Sequence, residues 1–302
     1  MHIPDGFLAT PVWAALDLAA IPAVGLIARR SQAGLEDARA PLLGVMGAFV
    51  FAAQMINFPV GVGTSGHLVG GTLLACTLGP SAAVVVMTAI LAVQALVFQD
   101  GGLLALGANV MNMAVAGVLA GYLPFHYWGQ GPWRRAAIFL GGVLSVLVSA
   151  FLTLAQLRIS GIPMPSAVLG LSMALFLVSA LVEGAVTLAV FGALEKMNPG
   201  WVRKPAGAIS RLRGALAAGA LLMASLGALV ASGLPDGLES AAAKLGIHER
   251  AWNLFETPLL DYELQFAEPV WMRKVAAGLV GLAIIYLLCA ALSRWLLRRR
   301  SP

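Results

Sequence analysis

The chain alternates long apolar stretches with short polar ones. A helix needs about 20 mostly apolar residues to cross a bilayer. Runs close to that length fall near 12–29, 41–58, 81–98, 103–123, 136–157, 167–192, 214–232 and 275–297. A shorter run, 67–79, lies between a glycine-rich stretch and Gly79-Pro80. By length it is either a short span or a re-entrant segment. Counted as a span it makes nine, and the pattern predicts an all-α integral membrane protein.

Charge favours nine. With the N-terminus outside, the inner loops hold Arg29, Arg30, Arg39, Arg134, Arg135, Lys196, Arg203, Lys204, Arg211, Arg213, Arg294, Arg298, Arg299 and Arg300, which is 14 of the 19 Lys and Arg. The outer side keeps Arg158, Lys244, Arg250, Arg273 and Lys274. This asymmetry predicts an outer N-terminus and a cytoplasmic C-terminus. Dropping 67–79 would flip every later loop and put the basic 193–213 segment outside.

Composition narrows the class. Of the 302 residues, 60% are apolar and 11% charged, against about 25% charged in soluble domains. That excludes a soluble enzyme, a disordered chain and a nucleic-acid binder. The formal net charge of +5 therefore reads as orientation. Cys76 and Cys289 both sit in apolar runs and cannot form a disulfide framework or a multi-cysteine zinc site. No basic residue precedes Arg29, so the start does not read as a cleaved signal, and Met1 is expected to stay.

Near 194–213 the chain turns polar, basic and rich in Pro and Gly, as linkers do. This predicts a seven-span core, 1–205, and a two-span module, 206–302, built around an outer loop, 233–274. That loop carries Asp236, Glu239, Glu249, Glu256, Asp261, Glu263 and Glu268 against four bases.

No Gly-Lys pair occurs, so there is no phosphate-binding Walker loop. No nucleophile with an acid–base partner stands out. The chain opens Met1-His2-Ile3-Pro4-Asp5. The amine of Met1, the amide nitrogen of His2 and its imidazole Nδ1 can close a five- and a six-membered ring on one ion. With a fourth nitrogen they make a square-planar site suited to Ni(II) or Cu(II). The bland reading is an exposed terminal histidine. A second signal is Gly61-Val-Gly-Thr-Ser-Gly-His67-Leu-Val-Gly-Gly, with His67 on the same side as Met1. It reads either as the fourth donor or as an interfacial side chain.

Asp5 reads as an acceptor for an imidazole N–H. Asn109 and Asn112 share a helix face and read as cavity-lining, as props for the loop before His67, or as interhelical hydrogen-bond partners. Asp17 and Glu183 are carboxylates inside spans, costly in lipid; they are the candidates for a proton path. His126 and His248 read as solvated loop residues.

The opening Met-His-Ile-Pro-Asp-Gly-Phe, the stretch Gly-Thr-Ser-Gly-His67-Leu-Val-Gly-Gly, and Asp100-Gly-Gly-Leu-Leu-Ala-Leu-Gly-Ala-Asn-Val-Met-Asn-Met together resemble the cobalt/nickel substrate-binding subunits of energy-coupling factor (ECF) transporters, over roughly residues 1–200. Leu234-Pro-Asp-Gly-Leu-Glu239 resembles the PDGLE accessory module, over roughly 206–302. The resemblance implies a seven-helix substrate-binding (S-component) core in a bacterial inner membrane. Its ligands would be the Met1 amine, two His2 nitrogens and His67. It also implies import of Ni(II) or Co(II), a transmembrane coupling subunit (T component), and two cytoplasmic ATPases. The competing classes are a cobalt-specific version serving cobalamin synthesis and a secondary metal/proton permease.

Overall fold

The computed structural model describes residues 1–34, 40–61, 63–197, 209–227 and 231–298. The Pro- and Gly-rich linker and several basic residues on which the orientation rests (Arg39, Arg203, Lys204, Arg299 and Arg300) lie outside the described residues.

Helix α1 spans Thr10–Gly34 and α2 spans Ala40–Gln54. A β-hairpin follows, β1 at Phe58–Gly61 and β2 at Thr64–Gly66. Helix α3 is Gly71–Leu78, and α4 is Pro80–Val93 with a π turn at Gln94–Phe98. Helix α5, Leu106–Asn109, runs through a π segment, Val110–Gly117, into α6, Val118–Trp128. Helices α7, Arg134–Ile159, and α8, Ser166–Met197, complete the first part. The second part holds α9, Ile209–Leu222, with a π turn at Met223–Gly227. After it come the short α10, Gly237–Lys244, and the long α11, Val270–Arg298.

Among the described residues six helices are long and apolar enough to cross a membrane: Thr10–Ser31, Pro80–Phe98, Leu106–Trp128, Arg134–Ile159, Ser166–Met197 and Trp271–Leu297. Pro41–Gln54 and Gly214–Ser225 are shorter apolar helices. This is a multi-pass membrane protein.

Two expectations need correcting. The run 67–79 does not form a helix of spanning length. Helix α3 has eight residues, which at 1.5 Å per residue is about 12 Å against a hydrocarbon core of about 30 Å. All eight are buried, so the run makes its crossing inside the bundle, part extended and part helical: His67 and Asp100 both lie at the end that holds Met1 and His2, and Pro80–Phe98 between them is of spanning length. Helix α3 ends where Gly79 takes φ +85 and Pro80 opens the next helix. The fold is also not purely helical. Pro59 and the glycines of 58–66 form an antiparallel hairpin pairing Phe58 with Gly66 and Pro59 with Ser65.

Helix α11 packs along α2, and both parts share one core. Met46, Phe51, Leu74, Met87 and Phe98 of the first part cluster with Ala277, Ile285 and Cys289 of the second. Glycine lets these helices approach: a Cβ on Gly47 would sit 3.0 Å from Cys289 Sγ, the small-residue contact that suits helix association in lipid. Both cysteines are buried free thiols.

The loop between β2 and α3 is hung from the core by side chains. Glu183 of α8, itself buried, accepts hydrogen bonds from the amides of Val69 and Gly70, both at 2.8 Å. Gln54 Nε2 donates to the Val69 carbonyl at 2.7 Å. Glu183 therefore fixes Val69 and Gly70, the second and third residues after His67. Glu183→Ala leaves two buried amides unpaired and should destabilise the protein by about 2–4 kcal/mol. Thermal unfolding in detergent should show a clear drop in Tm; an unchanged Tm would mean the loop is held by other contacts.

Candidate metal centre

The first residues fold inward. Met1 and Ile3 are buried, with Ile3 fully so. The backbone of Ile3 makes a paired contact with Asn109: its N–H donates to Oδ1 at 2.8 Å and its carbonyl accepts from Nδ2 at 3.0 Å. The Gly102 amide also donates to the Ile3 carbonyl, at 2.8 Å. Asp5 accepts from three successive amides, those of Leu103, Leu104 and Ala105, at 2.9–3.1 Å. Charge-assisted bonds of this kind are each worth roughly 1.5–3 kcal/mol. The close approach requires glycine at 102, where a Cβ would fall 2.1 Å from Asp5 Oδ1. Anchored at residues 3 and 5, the chain end has little freedom.

That anchoring delivers the terminal amine to His67. The Met1 nitrogen lies 2.9 Å from His67 Nε2. His67 Nδ1 lies 3.0 Å from the Leu68 carbonyl. A carbonyl can only accept, so Nδ1 carries the proton and Nε2 presents a lone pair toward the amine. Burial above all, with the neighbouring amine and His2, pushes the His67 imidazole down to about 4. It is therefore neutral near pH 7. The imidazoles of His2 and His67 stand parallel, their planes 4° apart and centroids 5.2 Å apart.

Two carboxylates flank these groups. Asp100 Oδ1 lies 2.8 Å from His2 Nδ1, and Tyr262 donates to Asp100 Oδ2 at 2.6 Å. Burial raises the Asp100 carboxyl, but the charge and hydrogen bond of His2, with His67 and Tyr262, outweigh it and hold it well below the usual carboxylate range. Asp236 Oδ2 accepts from the Met1 amine and lies 3.9 Å from His67 Nε2. Burial opposes its ionisation too, and the terminal ammonium and His67 overcome that and lower it. His2 Nε2 is buried and, among the described residues, has no hydrogen-bond partner. A cavity of about 730 Å³ opens over the cluster, lined by His2, His67, Asp100, Asp236, Asp261 and Tyr262 among others.

The structure thus brings Met1, His2 and His67 together. Among the described residues no three His, Cys, Asp or Glu side chains form a metal-holding group. Other expected residues lie elsewhere. Asp5 is not an imidazole acceptor; it ties the N-terminal segment to residues 103–105, and Asp100 takes the place beside His2. Asn109 holds Ile3 rather than the loop before His67. Asn112 pairs with Gln156 through two amide hydrogen bonds, 2.8 and 2.7 Å, between α7 and the π segment. Asp17 accepts from Gly107 at 2.6 Å. His126 and His248 are exposed. Asp100, Tyr262 and Asp236 were not singled out from sequence. Asp100 and Asp236 lie in recognisable glycine-containing motifs, but nothing in their spacing ties them to His2 or Met1.

Two family profiles match the chain. The profile of the CbiM family, described as a cobalt uptake substrate-specific transmembrane region, matches residues 2–201, and that of the PDGLE domain matches 210–299. A protein of Archaeoglobus fulgidus, provisionally named a fused nickel transport protein NikMN, is 35% identical across 98% of this chain and 99% of its own length. The fused nickel transport protein NikMN of Rhodobacter capsulatus is 28% identical across 94% and 95%. The cobalt transport protein CbiM of Salmonella typhimurium is 33% identical across 65% of this chain and 84% of its own. The crystal structure of a truncated transition metal transporter superposes with a TM-score of 0.58 at 31% identity, over 65% of this chain and 99% of that one.

The depressed His67 imidazole has a direct readout. In chelator-stripped protein its ring proton resonances should keep their neutral shifts from pH 8 down to about 5, one unit above the value to which burial lowers it. The linkage has a definite sign: this histidine is easier to protonate in the unfolded chain, so its contribution to stability is complete above about pH 6.5 and is lost as pH falls toward 4. A titration midpoint near 6.5 would place His67 in solvent and contradict the geometry.

Proposed function

We propose, starting from a chain that belongs to the CbiM family of metal-uptake transmembrane proteins and carries a PDGLE domain behind it, that it is the capture subunit of a nickel importer. The observation that carries this reading is the pair formed by the Met1 amine and His67 Nε2, 2.9 Å apart. Two cis donors, each about 2.0–2.1 Å from one metal ion, stand about 2.8–3.0 Å apart. The pair already has the spacing of two corners of a square.

The other two corners come from His2. With the Met1 amine as one donor, the His2 amide nitrogen closes a five-membered ring and Nδ1 a six-membered one. Protons on the amine and amide leave to solvent as the ion binds. Nδ1 exchanges its Asp100 contact for the ion, and Asp100 stays beside it as a carboxylate. His67 is already neutral and gives up no proton. The amide anion, Asp100 and Asp236 together would offset the ion's double charge. A planar set of four nitrogens, one of them a deprotonated amide, suits Ni(II) better than Co(II). The names of the relatives that span the whole chain point the same way.

The chain would face outward with its N-terminus and keep its basic C-terminus in the cytoplasm. A coupling membrane subunit and two ATPases would supply the energy. The two modules would divide at 205/206. The proton-permease alternative loses its path residues: Asp17 is bound to the Gly107 amide and Glu183 to the amides of Val69 and Gly70.

The chain end gives the sharpest test. Met1 is buried and its nitrogen lies between His67 and Asp236. One residue added before Met1 turns the amine into an amide and moves histidine away from position two. Nickel uptake in cells should then fall to background, while the same residues added after Pro302 should leave it intact. Equal uptake by the two tagged forms at matched expression rejects the chelate.

A further inference from the structure

We infer that Asp236, carried by the second module, is a positioning residue of the metal centre, holding the Met1 amine in the orientation that lets it act with His67. The inference rests on the chelate reading above and adds what the second module does for it.

The first residue is the least constrained in any chain. Here the fold fixes Ile3 and Asp5, yet rotation about the Met1 backbone still decides where the amine points. Asp236 Oδ2 accepts from that amine. A neutral amine whose lone pair goes to an ion keeps two N–H groups, so the same contact persists in the loaded site. It then acts as a carboxylate acceptor behind a metal-bound nitrogen, the arrangement that orients ligands and strengthens their donation.

The aim of Asp236 is itself fixed. Its Oδ1 accepts from the amides of Leu238 and Glu239 at 2.7 and 2.8 Å, and its own amide donates to Glu239 Oε2 at 2.7 Å. This is a capping box at the start of α10. One carboxylate oxygen serves the helix and the other serves the amine. The turn before it is fastened to the strand that leads into His67. The Ser65 amide donates to the Pro235 carbonyl at 2.8 Å, and Ser65 Oγ donates to the Leu234 carbonyl at 2.7 Å. Thr64 Oγ1 and Ser240 Oγ lie 3.0 Å apart. Asp236 and His67 therefore sit in one hydrogen-bonded unit assembled from both modules. A pre-oriented donor binds more tightly than one that must be ordered on binding.

The test is Asp236→Asn in the full chain. Asn caps a helix as well as Asp does, so α10 keeps its start, but the amide nitrogen now facing the amine cannot accept from it. Isothermal titration with nickel(II) should show affinity lower by ~10–100-fold, the usual effect of losing such an acceptor. Thermal unfolding should keep one cooperative transition at a somewhat lower Tm, because the terminal ammonium loses its buried carboxylate partner. The ligand-field absorption of the nickel-loaded protein should keep its position, because the four nitrogens are unchanged. Unchanged affinity would overturn the inference, and so would a moved absorption band, which would make Asp236 a ligand. His67→Ala run in parallel separates the two readings. If that variant binds nickel as the parent does, the chelate itself fails; if it loses nickel while Asp236→Asn does not, only the positioning role fails.

Discussion

The site depends on one arrangement: a free backbone amine held against the lone pair of a buried neutral imidazole. Neither group stays there unaided. An amine at a chain end gains more from water than from a single histidine, and an imidazole prefers solvent to a membrane-protein interior. The structure answers both costs with hydrogen bonds. Asn109 and Asp5 pull the N-terminal segment down onto residues 102–105. Leu68 fixes the tautomer of His67, and Glu183 fixes the backbone just beyond it. The long helices serve mainly to bring these anchors to one end of the bundle.

The same constraint explains why polar residues inside the spans are spent on backbone amides rather than on a conduit. Glu183 and Asp17 each satisfy main-chain donors in a region where unpaired ones are costly. The π turns work similarly: one precedes Gln99 and Asp100, and another begins directly after Asn109, so both re-aim the chain where a site residue must point. The second module completes the enclosure. Tyr262 reaches Asp100 behind His2, and Asp236 reaches the amine, so both sides of the proposed chelate are backed from the same module.

Much of this was legible in the sequence. Apolar runs gave the long helices because hydrocarbon thickness sets their length. Met1, His2 and His67 could be paired because a chelating chain end and a glycine-flanked histidine each carry local chemistry. The 67–79 run was expected as a helical span, whereas only Gly71–Leu78 is helical, because apolar content does not tell how much of a buried crossing is helix. Asp5 was assigned to the imidazole on proximity in sequence, whereas three amides at 103–105 compete for it and win. Asp100, Tyr262 and Asp236 were invisible as partners because their roles arise from contacts distant in sequence, His2 with Asp100, Asp100 with Tyr262 across 162 residues and Met1 with Asp236 across 235. No periodicity encodes such contacts.

The central claim is that the ion is held by four nitrogens in a plane, one of them the chain's own amine. X-ray absorption at the nickel edge of the loaded full-length protein tests this without any substitution. The account predicts a single shell of four nitrogens and the edge feature of square-planar nickel. A six-coordinate shell containing oxygen would contradict it, and would transfer the binding role to Asp100 and Asp236.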